Sequence, residues 1–181
     1  MTDTSLEKPL SAKMAAAVAK YAKLVDIPGK GKGLVAARDI PRRSVVGAYA
    51  GLVFPEKEYD RFLQQGGTTG KYAIEFFKVV GGKVRDGYVM DPGGPDGRML
   101  PRYKNVVAAY VNEPDSGLPN CVWTRVVPLK RVVLKALREI RKGEELTVCY
   151  AHDYPRRYKT PCKSARGKAS RISSLMTQRH I

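Results

Sequence analysis

Apolar residues near the start of this chain recur at the spacing of a helix, and those that follow recur at the spacing of strands. A helix is predicted over residues 11–25, because Ser11 can cap an alanine-rich stretch with apolar residues on one side. The apolar positions on that side are Met14, Val18, Tyr21 and Val25. Pro28 and Gly29 follow and end the predicted helix.

The rest of the chain consists of short apolar stretches separated by glycine, proline and charged residues, which is typical of a mainly β domain with short helices. A β region is predicted from Gly33 to Phe54, and Pro41 argues against a helix there. Gly81-Gly82 separates two further stretches and indicates a hairpin. Strands are predicted over residues 72–80, 83–90, 121–127, 132–140 and 146–150, a short helix over 56–65, and a short apolar element over 106–111.

Charge is the first unusual feature, since 43% hydrophobic and 28% charged residues are ordinary values for a globular domain. The formal net charge is +16, which suggests a polyanionic partner or compartment. Residues 155–181 are basic and contain neither Asp nor Glu. This segment is either a contact to DNA, RNA or a nucleosome, or a nuclear address, or a solvated tail, and the sequence leaves these open. Its basic residues are Arg156, Arg157, Lys159, Lys163, Arg166, Lys168, Arg171 and Arg179.

Cysteine and histidine are too few and too scattered for a disulfide framework or a zinc site. The three cysteines are an odd number and the two histidines lack ligand spacing, so no metal is predicted. Cys121 and Cys149 lie in apolar stretches and are expected to be small buried side chains. The polar N-terminus does not resemble a signal peptide and the apolar runs are too short to span a bilayer, so an intracellular protein is expected.

The segment Gly31-Lys32-Gly33 invites a nucleotide-binding interpretation that its neighbours contradict. A phosphate loop needs Ser or Thr after its Gly-Lys pair, and a dinucleotide site needs a strand before it and a helix after it. Here a predicted helix precedes the glycines and Pro41 follows them. What remains is a flexible turn at which the backbone can approach a ligand closely.

Several short motifs nevertheless occur in one order along the chain. They are Gly31-Lys32-Gly33-Leu34, Ala37-Arg38-Asp39-Ile40, Tyr49-Ala50-Gly51, Asn112, Pro119-Asn120-Cys121, and Gly143-Glu144-Glu145-Leu146-Thr147 followed by Tyr150. This set resembles the SET-domain family of protein lysine methyltransferases. The resemblance divides the chain into a helical N-terminal extension over residues 1–28, a SET domain over 29–154 and a basic C-terminal tail over 155–181. It implies small curled β-sheets around a knot-like crossing of the C-terminal motifs.

The resemblance also implies an activity, which is methylation of a lysine side chain with S-adenosylmethionine as the methyl donor. The substrate is then a histone or another lysine-bearing protein, with nucleosomal DNA as a partner of the tail and the nucleus as the compartment. Tyr150 corresponds to the catalytic tyrosine. The positions that correspond to cofactor-binding residues are Gly31, Lys32, Gly33, Asn112, Glu113 and Tyr150. The positions assigned to the lysine channel are Tyr49, Trp123, Val148 and His152.

The chain departs from the family pattern in ways that bear on function. Glu113 stands where the family usually has histidine, and the stretch that follows, to Asn120, is longer than usual. Only Cys162 follows the core, whereas many members carry a cysteine-rich zinc module there. An aromatic residue at the end of the domain or in the tail, Tyr154 or Tyr158, is then expected to close the channel. The rival functions are a SET-derived binding module without chemistry and a basic nucleic-acid-binding protein.

Overall fold

The computed structural model of the chain describes residues 20–80, 83–126, 131–150 and 158–162. The expected mainly β domain with short helices is confirmed. No helix within these ranges is long and apolar enough to cross a membrane. The strands described are β1 (Ala22–Ile27), β2 (Gly31–Ala36), β3 (Val45–Tyr49), β4 (Leu52–Pro55), β5 (Ile74–Val80), β6 (Lys83–Asp91), β7 (Cys121–Val126) and β8 (Arg131–Ala136). The helices described are α1 (Glu56–Gln64) and two 3₁₀ helices, Pro101–Tyr103 and Val107–Tyr110.

Strands β1 and β2 form a two-stranded antiparallel sheet in which Ile27 lies opposite Gly31. The helix predicted over residues 11–25 is therefore wrong from Ala22 onward, because β1 begins there, and residues 11–19 lie outside the described part. Pairing with β2 overrides the helix preference of Ala22, Lys23 and Leu24, because tertiary contacts outweigh intrinsic propensity. Lys20 and Tyr21 alone are helical among the described residues before β1.

Two three-stranded antiparallel sheets form most of the domain, with the strand orders β3-β8-β7 and β4-β6-β5. The hairpin prediction is confirmed in that β5 and β6 pair antiparallel, although Gly81-Gly82 lies outside the described residues. Helix α1 packs on the second sheet, where Tyr59 and Leu63 join Phe54 and Val89 in a buried cluster.

Residues 143–148, here called the crossing, run between earlier parts of the chain instead of joining a sheet. Leu146 donates its N–H to the Leu34 carbonyl of β2 over 2.7 Å, and Val148 donates its N–H to the Asn112 carbonyl over 2.9 Å. Glu145 and Thr147 form only isolated bridges, to Val35 and to Asn112. The continuous strand predicted over residues 146–150 is therefore wrong. The reason is that the hydrogen-bond partners of this segment come from different elements, and no single neighbouring strand supplies them.

Asn120 fastens the crossing from the side of β7. Its Nδ2 donates to the Glu145 carbonyl over 2.8 Å, and its Oδ1 accepts the Thr147 N–H over 2.8 Å. The next residue, Cys121, donates its own N–H to the Thr147 carbonyl over 2.9 Å. Because Asn120 is buried, these bonds satisfy polar groups that have little access to water. The arrangement agrees with the knot-like crossing that the family resemblance implies.

The main core lies where β2, the β3-β8-β7 sheet and the crossing meet. The apolar side chains of the crossing pack into this core. The polar atoms of Asn120 bind the backbone of the crossing. Cys121 is buried here as expected and carries a free thiol. Other fully buried members of this core are Leu34, Ile40, Leu134, Ile140 and Leu146.

Candidate active site

Tyr49 at the end of β3 and Trp123 on β7 bring their rings together across β8. The ring centroids are 5.4 Å apart and the ring planes lie at 89°, the edge-on arrangement that aromatic rings favour. The Tyr49 hydroxyl donates to the Tyr72 carbonyl. Burial is the main reason that the pKa of Tyr49 lies well above its usual value, and the negative charge of Asp91 acts in the same direction. Tyr49 is therefore a neutral phenol at any ordinary pH, and it is not a base.

Tyr150 lies just after the crossing, half-buried against the main core. Its hydroxyl donates to the Val111 carbonyl over 2.8 Å, and its N–H donates to Glu113 Oε1 over 2.7 Å. Trp123 packs both against the core that includes Tyr150 and against the cluster that includes Tyr49. The charge of an ionised Tyr150 would also raise the pKa of Tyr49. The two phenols and the indole thus share one neighbourhood.

Asn112 connects β2 to the crossing through its side-chain amide. Its Nδ2 donates to Glu145 Oε1 over 3.1 Å and to the Lys32 carbonyl over 3.3 Å. Asn112 also forms a parallel bridge with Thr147, so its backbone is fixed on the other side. The side chain of Lys32 instead pairs with Asp26 at the surface, over 2.8 Å. Lys32 therefore contributes a backbone carbonyl to this centre, while its ammonium group lies elsewhere.

The glycines of β2 are required for different reasons. A Cβ on Gly33 would lie 2.5 Å from Ile27 Cγ1 and 2.7 Å from Asn112 Nδ2, so Gly33 lets Asn112 approach β2. Gly31 has a φ of +77°, which favours glycine, and a Cβ there would meet no atom within 4 Å. The predicted flexible turn at Gly31–Gly33 is wrong, because this segment is the first half of β2. Open space beside Gly31 nevertheless leaves room for a ligand against the backbone.

Lys30, which the sequence analysis did not single out, ties the β1–β2 turn to the acidic side of the centre. Its Nζ lies 3.0 Å from Glu145 Oε2 and 3.0 Å from Asp115 Oδ2, and it donates to the Glu113 carbonyl over 3.2 Å. Burial by itself lowers the pKa of Lys30, but the hydrogen bonds to Asp115 and Glu145 outweigh this effect and the net shift is upward. Lys30 is thus a fixed cation that neutralises Glu145 beside Asn112.

The residues of this centre are distant in sequence, and a comparison with known protein families accounts for their meeting. The model of the SET domain matches residues 31–151, which is most of the chain and includes β2, Asn112, the crossing and Tyr150. The chain belongs to the SET-domain family. The match supports a methyltransferase-type family.

Residues 158–162 lie beyond the family match and contact the site at Glu113 and Pro114. The Tyr158 hydroxyl donates to Glu113 Oε2 over 3.0 Å, and the Thr160 hydroxyl donates to the Pro114 carbonyl over 3.1 Å. This segment includes Tyr158, one of the two aromatic residues expected to close the channel. Its observed contact is a hydrogen bond, and about half of the side chain, 49%, is exposed. The other, Tyr154, lies outside the described residues.

A disulfide joins the SET domain to the same segment, between Cys149 and Cys162. The expectation that Cys149 is a small buried side chain is wrong, since Cys149 is exposed and bonded. The ligand atoms of Glu113, Cys149 and Cys162 lie within 4.8 Å of one another. A metal would need the two sulfurs as thiolates, and here they are bonded to each other. The absence of a metal stays a prediction.

Two tyrosines outside the motifs, Tyr72 and Tyr110, lie next to the centre. Tyr72 supplies the carbonyl that accepts the Tyr49 hydroxyl, and its ring meets that of Tyr110 edge-on, with centroids 6.0 Å apart. Both side chains are only half-buried, and Lys32 lowers the pKa of Tyr110 against the larger upward effect of burial. Neither residue belongs to a recognised motif, so the sequence alone held no signal for them.

The remaining predicted channel residues differ in their surroundings. Val148 is only 1% exposed and belongs to the main core, so its side chain contacts apolar neighbours there. Trp123 is half-buried beside Tyr49. His152 lies outside the described residues. Their roles in a lysine channel remain predictions.

S-adenosylmethionine combines an amino acid, a sulfonium cation and an adenosine, and the residues present suit these parts. Open space beside Gly31 leaves an edge of backbone at which the amino-acid part can lie. The Asn112 Oδ1 can accept a hydrogen bond from a ligand, while its Nδ2 already donates to Glu145 and to the Lys32 carbonyl. The half-exposed Tyr158 ring offers a face for adenine. The chain therefore fits this cofactor, with Gly31, Gly33, Asn112 and Tyr150 as the residues that would hold it.

Proposed function

We propose that this SET domain transfers a methyl group from S-adenosylmethionine to a lysine side chain of a protein, with a histone as the favoured substrate. The observation that carries this proposal is the convergence of Tyr150, Asn112 and the Tyr49–Trp123 ring pair in one half-buried centre. Each of these residues occupies a family position, and they come from separate elements. Lysine methylation requires a binding site for an amine that aromatic rings line.

The chemistry depends on presenting the lysine as a neutral amine. When bound, S-adenosylmethionine supplies a methyl group activated by a positively charged sulfonium. A free lysine has a pKa of about 10.4 and is almost entirely charged at neutral pH, and an ammonium has no lone pair. Removal of water by aromatic side chains such as Tyr49 and Trp123 lowers that pKa. Tyr49 itself stays neutral because its own pKa is raised, so it offers no negative charge that would stabilise the ammonium.

Tyr150 is the residue that we assign to orienting the amine. Its hydroxyl is fixed by donation to the Val111 carbonyl, over 2.8 Å. A hydroxyl that donates to a carbonyl still carries lone pairs on its oxygen, and these can accept an N–H of the amine. Such acceptance points the nitrogen lone pair in a defined direction. Positioning of this kind supplies up to about 7–11 kcal/mol of a reaction barrier in the best cases.

The test is methyl transfer by the full chain. The protein is incubated with isotopically labelled S-adenosylmethionine and a panel of histones and nucleosomes, and the modified peptides are identified by mass spectrometry. Tyr150→Phe, prepared in the same way, controls for contaminating activity because it keeps the ring. Label on lysine from the parent chain supports the proposal. Absence of label, together with no gain of thermal stability in excess cofactor or its demethylated product, would contradict it.

The net charge of +16 favours a second candidate function, which is binding of nucleic acid or chromatin without chemistry. Under the preferred proposal the same charge holds nucleosomal DNA beside the histone substrate in the nucleus. Replacing Lys163, Arg166, Lys168 and Arg171 by alanine removes basic residues but leaves residues 158–162 intact. This variant should bind DNA more weakly and with a flatter salt dependence, since fewer counterions are released. Salt-dependent DNA binding by a parent chain that methylates nothing would favour the second candidate.

A further inference from the structure

Glu113 is a buried carboxylate that binds two separate parts of the chain. It is 3% exposed, and its two oxygens accept different donors. Oε1 accepts the Tyr150 N–H over 2.7 Å, and Oε2 accepts the Tyr158 hydroxyl over 3.0 Å. A buried carboxylate is costly unless such donors satisfy it. Glu113 therefore connects the tyrosine at the end of the crossing to the segment that follows it.

The segment over residues 158–162 is attached on the same side by other contacts. The Thr160 hydroxyl donates to the carbonyl of Pro114, the neighbour of Glu113, over 3.1 Å. The Cys162 N–H donates back to Thr160 Oγ1 over 3.2 Å, which orders the turn before the disulfide to Cys149. The segment is thus held by hydrogen bonds from Tyr158 and Thr160 near its start and by the disulfide of Cys162 at its end.

The chemistry of the side chain explains why a carboxylate stands at a position where the family usually has histidine. A neutral imidazole has one acceptor nitrogen, whereas a carboxylate has two oxygens that accept in different directions. Binding both Tyr150 and Tyr158 needs two acceptors. Hydrogen bonds to a charged acceptor are also stronger than those between neutral groups.

We propose that Glu113 is a positioning residue that fixes the backbone of Tyr150 and holds residues 158–162, with the Tyr158 ring, beside the cofactor-binding residues. This inference rests on the proposed function for its effect on the cofactor. Glu113 then binds Tyr150 and Tyr158, and residues 158–162 close the site, held there by hydrogen bonds and the disulfide. Loss of the Glu113–Tyr158 bond should then weaken cofactor binding through the segment, although Tyr158 does not carry out the chemistry.

The first experiment removes that bond at its exposed end. Tyr158→Phe is compared with the parent and with Tyr103→Phe, a half-buried tyrosine outside this centre. All are measured in reductant, so that the disulfide does not hold the segment. We expect Tyr158→Phe to bind S-adenosylmethionine about tenfold more weakly by calorimetry, and to unfold at a slightly lower temperature without ligand because Glu113 loses one donor. A cofactor affinity equal to that of Tyr103→Phe would overturn the proposal.

The second experiment measures the positions of the two attached parts without using the cofactor. Amide hydrogen exchange at Tyr150 and Cys162 is compared in the parent, Glu113→Gln and Glu113→Ala. Glutamine keeps an acceptor for the Tyr150 N–H and places a donor toward Tyr158. The amides of Tyr150 and Cys162 should therefore exchange more slowly in Glu113→Gln than in Glu113→Ala. We expect at least tenfold faster exchange at Tyr150 in Glu113→Ala. Equal exchange at both amides in all variants would overturn the proposal.

The two experiments separate this inference from the proposed function. If Glu113→Ala does not fold, exchange at Cys162 in Tyr158→Phe decides the attachment, with faster exchange expected and parent-like exchange contradicting it. If the parent chain binds no cofactor, the proposed function fails. The exchange measurements still decide whether Glu113 holds the segment.

Discussion

The rings of Tyr49 and Trp123 lie at 89° to each other with their centroids 5.4 Å apart. Trp123 is half-buried and contacts both the main core and the cluster around Tyr49, so its bulk limits the space near the site. An indole at this place should leave room for few methyl groups on a bound lysine. Trp123 thereby becomes a candidate determinant of the methylation state.

Replacing Trp123 by phenylalanine should shift the products toward higher methylation states, because the smaller ring leaves more room for a methylated amine. Mass spectrometry of a lysine peptide gives the ratio of mono-, di- and trimethylated products. Val122→Ala, at a more exposed position of the same strand, is the matched control and should leave the ratio unchanged. An unchanged ratio in a folded Trp123→Phe protein would mean that Trp123 serves only in packing.

Tyr150→Phe should reduce methyl transfer at least about a hundredfold, equivalent to about 2.7 kcal/mol of barrier. The substitution removes the hydroxyl that donates to the Val111 carbonyl and keeps the ring that packs on the core. Folding should therefore survive with a loss of about 1 kcal/mol, and cofactor affinity should stay near that of the parent. Single-turnover kinetics and calorimetry measure the two quantities separately. Near-normal turnover would show that another residue orients the amine.

Gly33→Ala should weaken cofactor binding, because its Cβ would displace Ile27 and the Asn112 amide. Overpacking of this kind lowers the free energy of unfolding by about 1–3 kcal/mol. Gly66→Ala is the control, since Gly66 has a φ of +75° and no atom within 4 Å of its Cβ, so it adds backbone strain without a collision. Both variants should lose stability in urea, and only Gly33→Ala should lose cofactor affinity. Equal affinities would remove Gly33 from the site.

Asn120→Ala should lower the free energy of unfolding by about 2–4 kcal/mol, because the part-buried Glu145 carbonyl and the buried Thr147 N–H would each lose a partner. Asn105→Ala, at an exposed position, should change stability by no more than about 0.5 kcal/mol. Urea denaturation measures both. A loss below about 0.5 kcal/mol for Asn120→Ala would mean that the crossing does not depend on this side chain.

The cysteines should differ in reactivity once the disulfide is reduced. Burial raises the pKa of Cys121 to about 12, so at pH 8 almost none of it is the reactive thiolate. Cys149 is exposed and should be alkylated by iodoacetamide in the native protein, whereas Cys121 should not. In denaturant both should react, which controls for the reagent. Peptide mass spectrometry identifies the modified residues, and rapid native alkylation of Cys121 would contradict the described burial.

The sequence predicted those parts of the fold whose partners are adjacent in the chain. The β5–β6 hairpin and helix α1 follow local patterns, and both are confirmed. Residues 22–25 continue a helical pattern but belong to strand β1, because pairing with β2 decides their conformation. The segment from Leu146 onward has a strand-like pattern but crosses the domain, because its partners lie in different elements.

Only the residues of the candidate site that belong to recognisable motifs could be predicted from the sequence. Asn112, Tyr150 and Tyr49 carry recognisable motifs, and the structure places them near one another. Lys30 and the Cys149–Cys162 bond were not predicted, because their partners depend on where the turn and the C-terminal segment lie in space. No local pattern encodes such positions.

The crossing has a consequence for how the protein reaches its native state. Residues 143–148 find their backbone partners at Leu34, Asn112 and Cys121, so closing these contacts requires large loops to form first. Contacts of such high sequence separation slow folding. A ribosome also releases this segment only after β2 and Asn112 have emerged. The centre around Asn112 and Tyr150 is therefore expected to be the last part to assemble, and a nascent chain that lacks residues 143–150 should lack this centre even where its earlier strands have formed.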